Sequence, residues 1–205
     1  MKGLCKYADF LNVEIVLDLV KNLISLLKED KVKAANRFHC VFACIRIISA
    51  TQHALRFEDK DLTKVLYNAL LFPPPDKSSQ RIMIQGLSWL LIDQKQFSYD
   101  LVASFIKRIL QVSFHCDIEL IRSFICLVKQ VMAKFPKSFS LLEDDEAINH
   151  YNPSMADPYL TEASSSSIVS ELELLKTLKD SQIDSLIKAL HLKVPYSKKA
   201  LDYLT

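Results

Sequence analysis

The chain has 205 residues, of which half are hydrophobic and only two are glycine. Tight turns and phosphate-cradling loops need glycine, so this composition argues against hairpins and phosphate loops and favours helices. The 26 basic and 24 acidic side chains nearly cancel, which excludes the strong single-sign charge that drives non-specific attachment to nucleic acids or membranes.

The N-terminal sequence and the cysteines indicate whether the protein enters a membrane and whether its compartment is reducing. Met1 is not followed by a basic, then apolar, then small-residue pattern, and no apolar run approaches the roughly 20 residues that span a bilayer. We therefore predict a soluble protein without a membrane segment. The odd number of cysteines and their positions within apolar runs favour a reducing compartment over a disulfide framework: Cys5, Cys40, Cys44, Cys116 and Cys126.

Three amphipathic helices are predicted before the proline run at residues 73–75. Asn12 can cap the first, whose apolar residues recur at spacings of three and four from Val13 to Leu27. The second has a similar stripe over residues 38–48, and Asp61 can cap a third over residues 62–70. Three successive prolines lack amide donors and disfavour helical backbone before each ring, so they end the third helix.

Three further helices follow the prolines, around residues 82–92, 101–112 and 117–133, and Pro136 ends the last. Trp89 lies between Leu87 and Leu90, which favours packing in the core over a role as a partner anchor. Each helix pair with its turns takes about 40 residues, as in HEAT and armadillo repeats. We predict an all-α fold in which residues 1–136 form a HEAT/armadillo-like α-solenoid of antiparallel helix pairs.

Helical periodicity vanishes over residues 137–166, which we call the strap. This segment holds the acidic run at residues 143–146 and a serine run from residue 164. Four apolar side chains are expected to pin part of it onto the helices, which predicts a partly ordered segment: Tyr151, Met155, Tyr159 and Leu160. Short helices around residues 167–178 and 181–191 follow, and residues 167–205 are predicted to pack on the array, with residues 197–205 adding a turn or fraying.

An ordered set of residues runs from the strap into the next helix: Tyr151, Pro153, Asp157, Pro158, Ala163, Glu171 and Leu172. It resembles the C-terminal CCAAT-binding-factor (CBF) type domain of the nucleolar complex proteins, where Tyr-x-Pro and Asp-Pro-x-x-x-x-Ala precede a helix with Glu-Leu. Further segments look like the third branch of that family, in the family's order: residues 2–8, 39–41, 105–108 and 135–137. The chain departs from the pattern at residues 169–172 and 178–181, where relatives have Leu-Trp-Glu-Leu and His-Tyr-His-Pro.

The resemblance implies a non-enzymatic scaffold of the nucleus and nucleolus, without cofactor or small-molecule substrate. It implies binding to the second nucleolar complex protein and to the pre-ribosomal large-subunit particle, in maturation and intranuclear transport of that particle. Family members are also linked to the initiation of DNA replication, so a chromatin-associated factor is one alternative and a local RNA-binding helical module is another. Because relatives carry a long region before this point, a C-terminal portion or a trimmed homologue is expected.

Two groups of residues are candidates for binding. The strap can be a structural or partner-binding element, because its prolines restrict the backbone and its tyrosines offer rigid apolar area: Tyr151, Pro153, Asp157, Pro158, Tyr159, Ala163 and Glu171. Asp157 precedes a proline, which favours a turn closed by its own carboxylate; a flexible linker is the alternative. A phosphate- or RNA-facing ridge would form if adjacent helices align four basic residues, but solvated helix surface is the favoured interpretation: Lys107, Arg108, Lys134 and Lys137.

Metal and catalytic sites are not expected. His39, Cys40 and Cys44, or His115 and Cys116, could suit zinc, but the first group lies on an apolar helix face, where cysteine acts as a small hydrophobe. The acidic run lacks the spacing and central glycine of a calcium loop, so a solvated charge run is favoured. No Gly-x-Ser-x-Gly or His-Glu-x-x-His sequence occurs, which argues against a hydrolase.

Overall fold

The computed structural model describes residues 13–28, 32, 34–50, 60–93, 97–143 and 151–192. Within these ranges all regular structure is helical and no strand occurs, which confirms the all-α class. The chain divides into two compact units, residues 1–86 and 87–205. This division does not coincide with the boundaries expected at residues 136 and 166. The three-region organisation and the stacking of helix pairs into a solenoid both stay predictions.

Among the residues that the structure describes, the first unit contains three helices and most of a fourth: α1 (Val13–Lys28), α2 (Ala34–Ala50), α3 (Lys60–Ala69) and α4 (Lys77–Ser88). α1 packs on α2 and α3, and α2 packs on α3. Spacings of three and four place apolar side chains on one face of each helix, and burying each contributes about 1.5–3 kcal/mol. The buried set includes Val20, Ile24, Leu27, Phe38, Val41, Ile45, Leu62 and Leu66.

The proline run separates α3 from α4 as the sequence predicts. α3 ends at Ala69, and Asp76 directly precedes α4. Its carboxylate accepts hydrogen bonds from the Ser78 hydroxyl at 2.6 Å and the Ser79 backbone N–H at 2.8 Å. These bonds, the Ser78 bond foremost, lower the pKa of Asp76 to about 2. The ionised side chain thereby satisfies an amide of the first turn that has no partner within the helix.

α4 ends in a π-helical turn, Trp89–Asp93, where the sequence predicts regular helix. Leu90 and Leu91 are buried, whereas Trp89 is only half-buried. The Lys134 ammonium donates to the carbonyl oxygens of Leu91 at 3.3 Å and Ile92 at 2.5 Å. A π turn has i→i+5 hydrogen bonds, one residue longer than those of an α-helix. Lys134 supplies an additional donor to two carbonyl groups of this turn.

The second unit is built around α5 (Tyr99–Ser113), followed by α6 (Ile118–Lys134), a 3-10 helix (Pro136–Leu142), α7 (Val169–Lys176) and α8 (Ser181–His191). Two short 3-10 turns, Pro158–Leu160 and Ala163–Ser165, lie in the strap. α5 packs on α6, on the 3-10 helix, on both strap turns and on α7, while α8 packs on α6 and α7. Every residue from 101 to 110 is buried, so α5 is the central helix of this unit.

Side-chain caps set the starts of these helices. Ser98 accepts from the Leu101 amide at 3.3 Å, and Asp117 from the Leu120 amide at 2.9 Å. By contrast, Asp61 lies in the first turn of α3 and does not precede it, so the predicted cap there is wrong. Asn12, Cys5, residues 144–146 of the acidic run and residues 197–205 lie outside the described residues.

Candidate functional site: the strap held on α5

A polar stripe runs along α5 beneath the strap. Ser104, Lys107, Arg108 and Gln111 follow one another at helical spacing and therefore share a face. Lys107 is 1% exposed and Arg108 is 2% exposed, which is rare for charged residues unless they are paired. The partners of this stripe come from the strap and from α7.

Lys107 forms a buried ion pair with Glu171 at the start of α7. Its ammonium lies 2.8 Å from Glu171 Oε1 and 2.9 Å from Oε2, and it also donates to the backbone carbonyl of Ser167. Gln111 Nε2 donates to the same carboxylate at 3.3 Å, and the Ser170 hydroxyl does so at 3.0 Å. These bonds offset part of the cost of taking both charges out of water. Helix α7 is thereby fixed to α5.

The Arg108 side chain binds backbone carbonyls of the strap. The Nη2 atom donates to the carbonyl oxygen of Pro153 at 2.6 Å and to that of Met155 at 3.1 Å. Tyr151, which is 8% exposed, lies two residues before Pro153, and its ring centroid is 6.0 Å from the Lys107 ammonium. The Tyr-x-Pro sequence is therefore seated over both buried cations.

Ser104 contacts the Asp-Pro turn. Its hydroxyl lies 2.6 Å from the Pro158 carbonyl oxygen and also hydrogen-bonds the buried Thr161 hydroxyl. Asp157 Oδ1 accepts from the Tyr159 amide at 3.1 Å, which is the turn closed by its own carboxylate that the sequence predicts. Ala163 follows with no exposed surface, so a larger side chain there would collide with its surroundings.

A second set of hydrogen bonds joins the two described parts of the strap. Tyr99 Oη lies 2.7 Å from the Ser140 hydroxyl and 3.4 Å from the Ser164 carbonyl oxygen. The Ile168 amide donates to the Leu141 carbonyl at 2.8 Å. The 3-10 helix after α6 and the end of the strap are therefore held side by side.

Two of the four candidate phosphate-contact residues lie away from solvent, so neither a basic ridge nor a solvated surface describes them. Lys107 and Arg108 are buried and bind protein acceptors, because the strap covers the face on which they lie. Lys134 binds the carbonyls of the π turn, and burial lowers its pKa. Lys137 is exposed, with its ammonium 4.7 Å from the centroid of the Tyr99 ring.

The expected apolar anchors of the strap are also corrected in part. Tyr151 is buried, but Tyr159 is half-buried, Met155 is 37% exposed and Leu160 is 58% exposed. Hydrogen bonds from polar side chains of α5 hold the strap, and the exposed apolar side chains do not. Pattern reading missed Ser104, Gln111 and Thr161, because polar residues at helical spacing ordinarily indicate a solvated face.

Chemical alternatives find no support among the described residues. No group of three or more His, Cys, Asp or Glu side chains in that part of the chain could hold a metal ion. His39 Nε2 lies 2.9 Å from the Ser79 hydroxyl, but Asp76 contacts the serine and does not orient the imidazole as an acid in a catalytic triad does. Burial raises the pKa of Cys116 to about 11, which disfavours its reactive thiolate.

No helix in the described ranges is long and apolar enough to cross a bilayer.

Three relatives to which the chain is similar are all named as nucleolar complex proteins. The chain is 26% identical over 184 residues to the Nucleolar complex protein 3 homolog of Caenorhabditis briggsae, covering 85% of the chain and 24% of the relative. It is 25% identical over 197 residues to the Nucleolar complex-associated protein 3 of Arabidopsis thaliana, covering 85% and 23%. For the Nucleolar complex protein 3 homolog of Homo sapiens the identity is 26% over 148 residues, covering 71% and 18%.

The chain thus spans about a quarter of the length of the first two of these relatives. The CBF/Mak21 family matches residues 40–186, which include α5, the strap, α7 and both sides of the Lys107–Glu171 pair. Residues 105–108 and the strap with Glu171 are two of the sequence segments that resemble the family, and they contact each other. We call this set of contacts between α5, the strap and Glu171 the clamp. With more than half of its length matched, the chain belongs to the CBF/Mak21 family.

Proposed function

We propose that the chain is a non-enzymatic scaffold of the nucleolus that takes part in biogenesis of the large ribosomal subunit. Its partners in this role are a second nucleolar complex protein and the pre-ribosomal large-subunit particle, whose maturation and intranuclear transport it supports. The observation that carries the proposal is the family match across residues 40–186, together with relatives named as nucleolar complex proteins.

The clamp between α5 and the strap supports a binding role over a catalytic one. Its buried polar groups are engaged in holding chain segments together, as Lys107 does with Glu171 and Arg108 with the Pro153 carbonyl. A scaffold needs a surface held in one conformation, because loops that order on binding weaken affinity. The chromatin-associated and RNA-binding alternatives need a basic surface, and the burial of Lys107 and Arg108 argues against one on this face.

Affinity purification of the tagged chain from cells tests the proposal. We expect recovery of large-subunit precursor RNA and of a second nucleolar complex protein, both reduced when Tyr151 and Tyr159 are changed to alanine together. Leu192→Ser, which alters an exposed leucine after α8, is the matched control and should leave recovery unchanged. Recovery of neither partner by the unaltered chain would refute the scaffold role, and recovery of replication-origin proteins alone would favour the chromatin alternative.

A further inference from the structure

Ser170, in the first turn of α7, is exposed although its hydroxyl contacts the buried ion pair of the clamp. This hydroxyl lies 3.0 Å from Glu171 Oε2, and the Lys107 ammonium lies 2.9 Å from the same oxygen. Among the described residues the Ser170 side chain hydrogen-bonds this carboxylate and not the ammonium. A chemical change at one exposed oxygen therefore acts directly on a carboxylate whose residue is only 7% exposed.

The sequence after Ser170 suits recognition by an enzyme with a basic groove. Glu171 and Glu173 stand at the first and third positions after it, and no other serine in the sequence has acidic residues at both positions. Protein kinases select their serines partly by such charge patterns. A kinase needs the first turn of α7 to open. Because α7 has eight residues, and helices that short are marginal on their own, this turn opens more readily than the turns of the longer helices.

We propose that Ser170 is a phosphorylation site for an acid-directed serine kinase, and that the phosphate loosens α7 from α5. The Ser170 oxygen attacks the γ-phosphorus of ATP, and the bond from that phosphorus to the β–γ bridging oxygen breaks. The hydroxyl proton passes to a base of the kinase, and ADP leaves. This site goes beyond the scaffold role and does not depend on it, because it concerns how the chain holds its own helices together.

Phosphate on Ser170 weakens the clamp in two ways. The serine oxygen loses the proton that it donates to Glu171, and a group with a charge of about −1.5 to −2 then lies beside the carboxylate. Like charges at a site shielded from water repel each other, which weakens the attraction of Glu171 for Lys107. The N-terminus of α7 attracts phosphate, but its dipole amounts to roughly half an elementary charge. The full charge of the adjacent carboxylate outweighs it, so the net effect is repulsive.

Incubation of the purified full chain with casein kinase 2 and ATP tests the site. We expect phosphate at Ser170, located by tandem mass spectrometry, and a rate of incorporation there that falls several-fold in Glu173→Gln. Ser165→Ala alters an exposed serine with no acidic residue three positions later, so this matched control should leave the rate at Ser170 unchanged. Absence of phosphate at Ser170, or equal rates in Glu173→Gln and Ser165→Ala, would overturn the proposal.

Urea unfolding of the chain with phosphoserine installed at position 170 tests the effect on the clamp. Ser170→Ala is the reference, because it removes the hydrogen bond without adding charge. We expect the folded-to-unfolded ratio of the second unit to be at least tenfold lower with phosphoserine than with alanine, which corresponds to about 1.4 kcal/mol. With Lys107→Met and Glu171→Met both present, the phosphate should have little effect, because the carboxylate is gone.

Two results would contradict the loosening of α7. One is equal stability of the phosphorylated chain and Ser170→Ala, and the other is an equal effect of the phosphate with and without the buried ion pair. Circular dichroism before unfolding checks that every variant is helical. Recovery of nucleolar partners from cells is measured separately, so either result would leave the scaffold role standing.

Discussion

The buried pair Lys107–Glu171 makes a quantitative prediction about what holds the second unit together. Lys107→Met keeps most of the unbranched side chain and removes its charge, leaving the Glu171 carboxylate with Gln111 and Ser170 as its hydrogen-bonding neighbours. Removing one partner of a buried ion pair costs about 3–5 kcal/mol, because the other charge stays away from water. The Ser167 carbonyl also loses its donor, which by itself costs about 1–3 kcal/mol. Glu171→Met should be similarly destabilising.

The double variant should be far more stable than the sum of the two single changes predicts. With both charges replaced by methionine no uncompensated ion remains, and such replacements are often neutral or stabilising. We expect a coupling energy above about 2 kcal/mol from the double-mutant cycle. The measurement is equilibrium unfolding of the full chain in urea followed by circular dichroism, fitted with two transitions since the chain has two compact units.

Lys176→Met is the matched control for this cycle. Its partner Glu173 lies 2.5 Å away, but the two side chains are 39% and 61% exposed. An exposed pair of this kind contributes less than about 1 kcal/mol. If Lys107→Met costs no more than Lys176→Met, or if the two buried changes are additive, the pair does not fasten α7 to α5 and the reasoning fails.

Three further predictions concern other parts of the second unit. Tyr151→Ala should cost about 3–5 kcal/mol because its ring is buried, and Tyr159→Ala less because its ring is half-buried; equal melting temperatures for both variants would contradict this. The pKa of Asp180 is lowered, chiefly by its hydrogen bond from Arg122, so this carboxylate stabilises the fold above its unfolded pKa and the effect is lost as pH falls through the lower folded pKa. Arg122→Met should move that pKa back toward its usual range in an NMR titration and weaken the dependence of stability on acid pH, and an unchanged pKa would disprove the assignment. Among the described residues, neither polar atom of the Gln130 side chain has a hydrogen-bond partner, although the residue is only 5% exposed; Gln130→Met should raise the unfolding free energy by roughly 1–3 kcal/mol in urea, and a loss of stability would show that the amide is satisfied.

The helices could be predicted from the sequence because their apolar spacing is local information. α6 was expected over residues 117–133 and lies at Ile118–Lys134, and α8 was expected over 181–191 and lies at Ser181–His191. The π turn after Ser88 could not be predicted, since its carbonyls depend on Lys134, a residue more than forty positions away.

The clamp could be predicted only in part, for a related reason. The Tyr-x-Pro and Asp-Pro sequences marked the strap as special, and proline chemistry gave the Asp157 turn correctly. The polar stripe on α5 has the spacing of a solvated face, and only its distant partners show that it is covered. The spacing therefore predicts that Lys107 and Arg108 face phosphate or water. In the structure Lys107 binds Glu171, and Arg108 binds backbone carbonyls of the strap.

The distance along the chain between α5 and its cover has a consequence during synthesis. Pro153 lies 45 residues after Arg108, and Glu171 lies 64 residues after Lys107. At elongation rates of about 5–20 residues per second, α5 is made roughly 3–13 s before Glu171 exists. Throughout that interval Lys107 lacks its carboxylate partner, and closing such long-range contacts is slow. A fragment that stops before Glu171 keeps this unfinished surface permanently, so expression boundaries for the second unit should lie beyond α7.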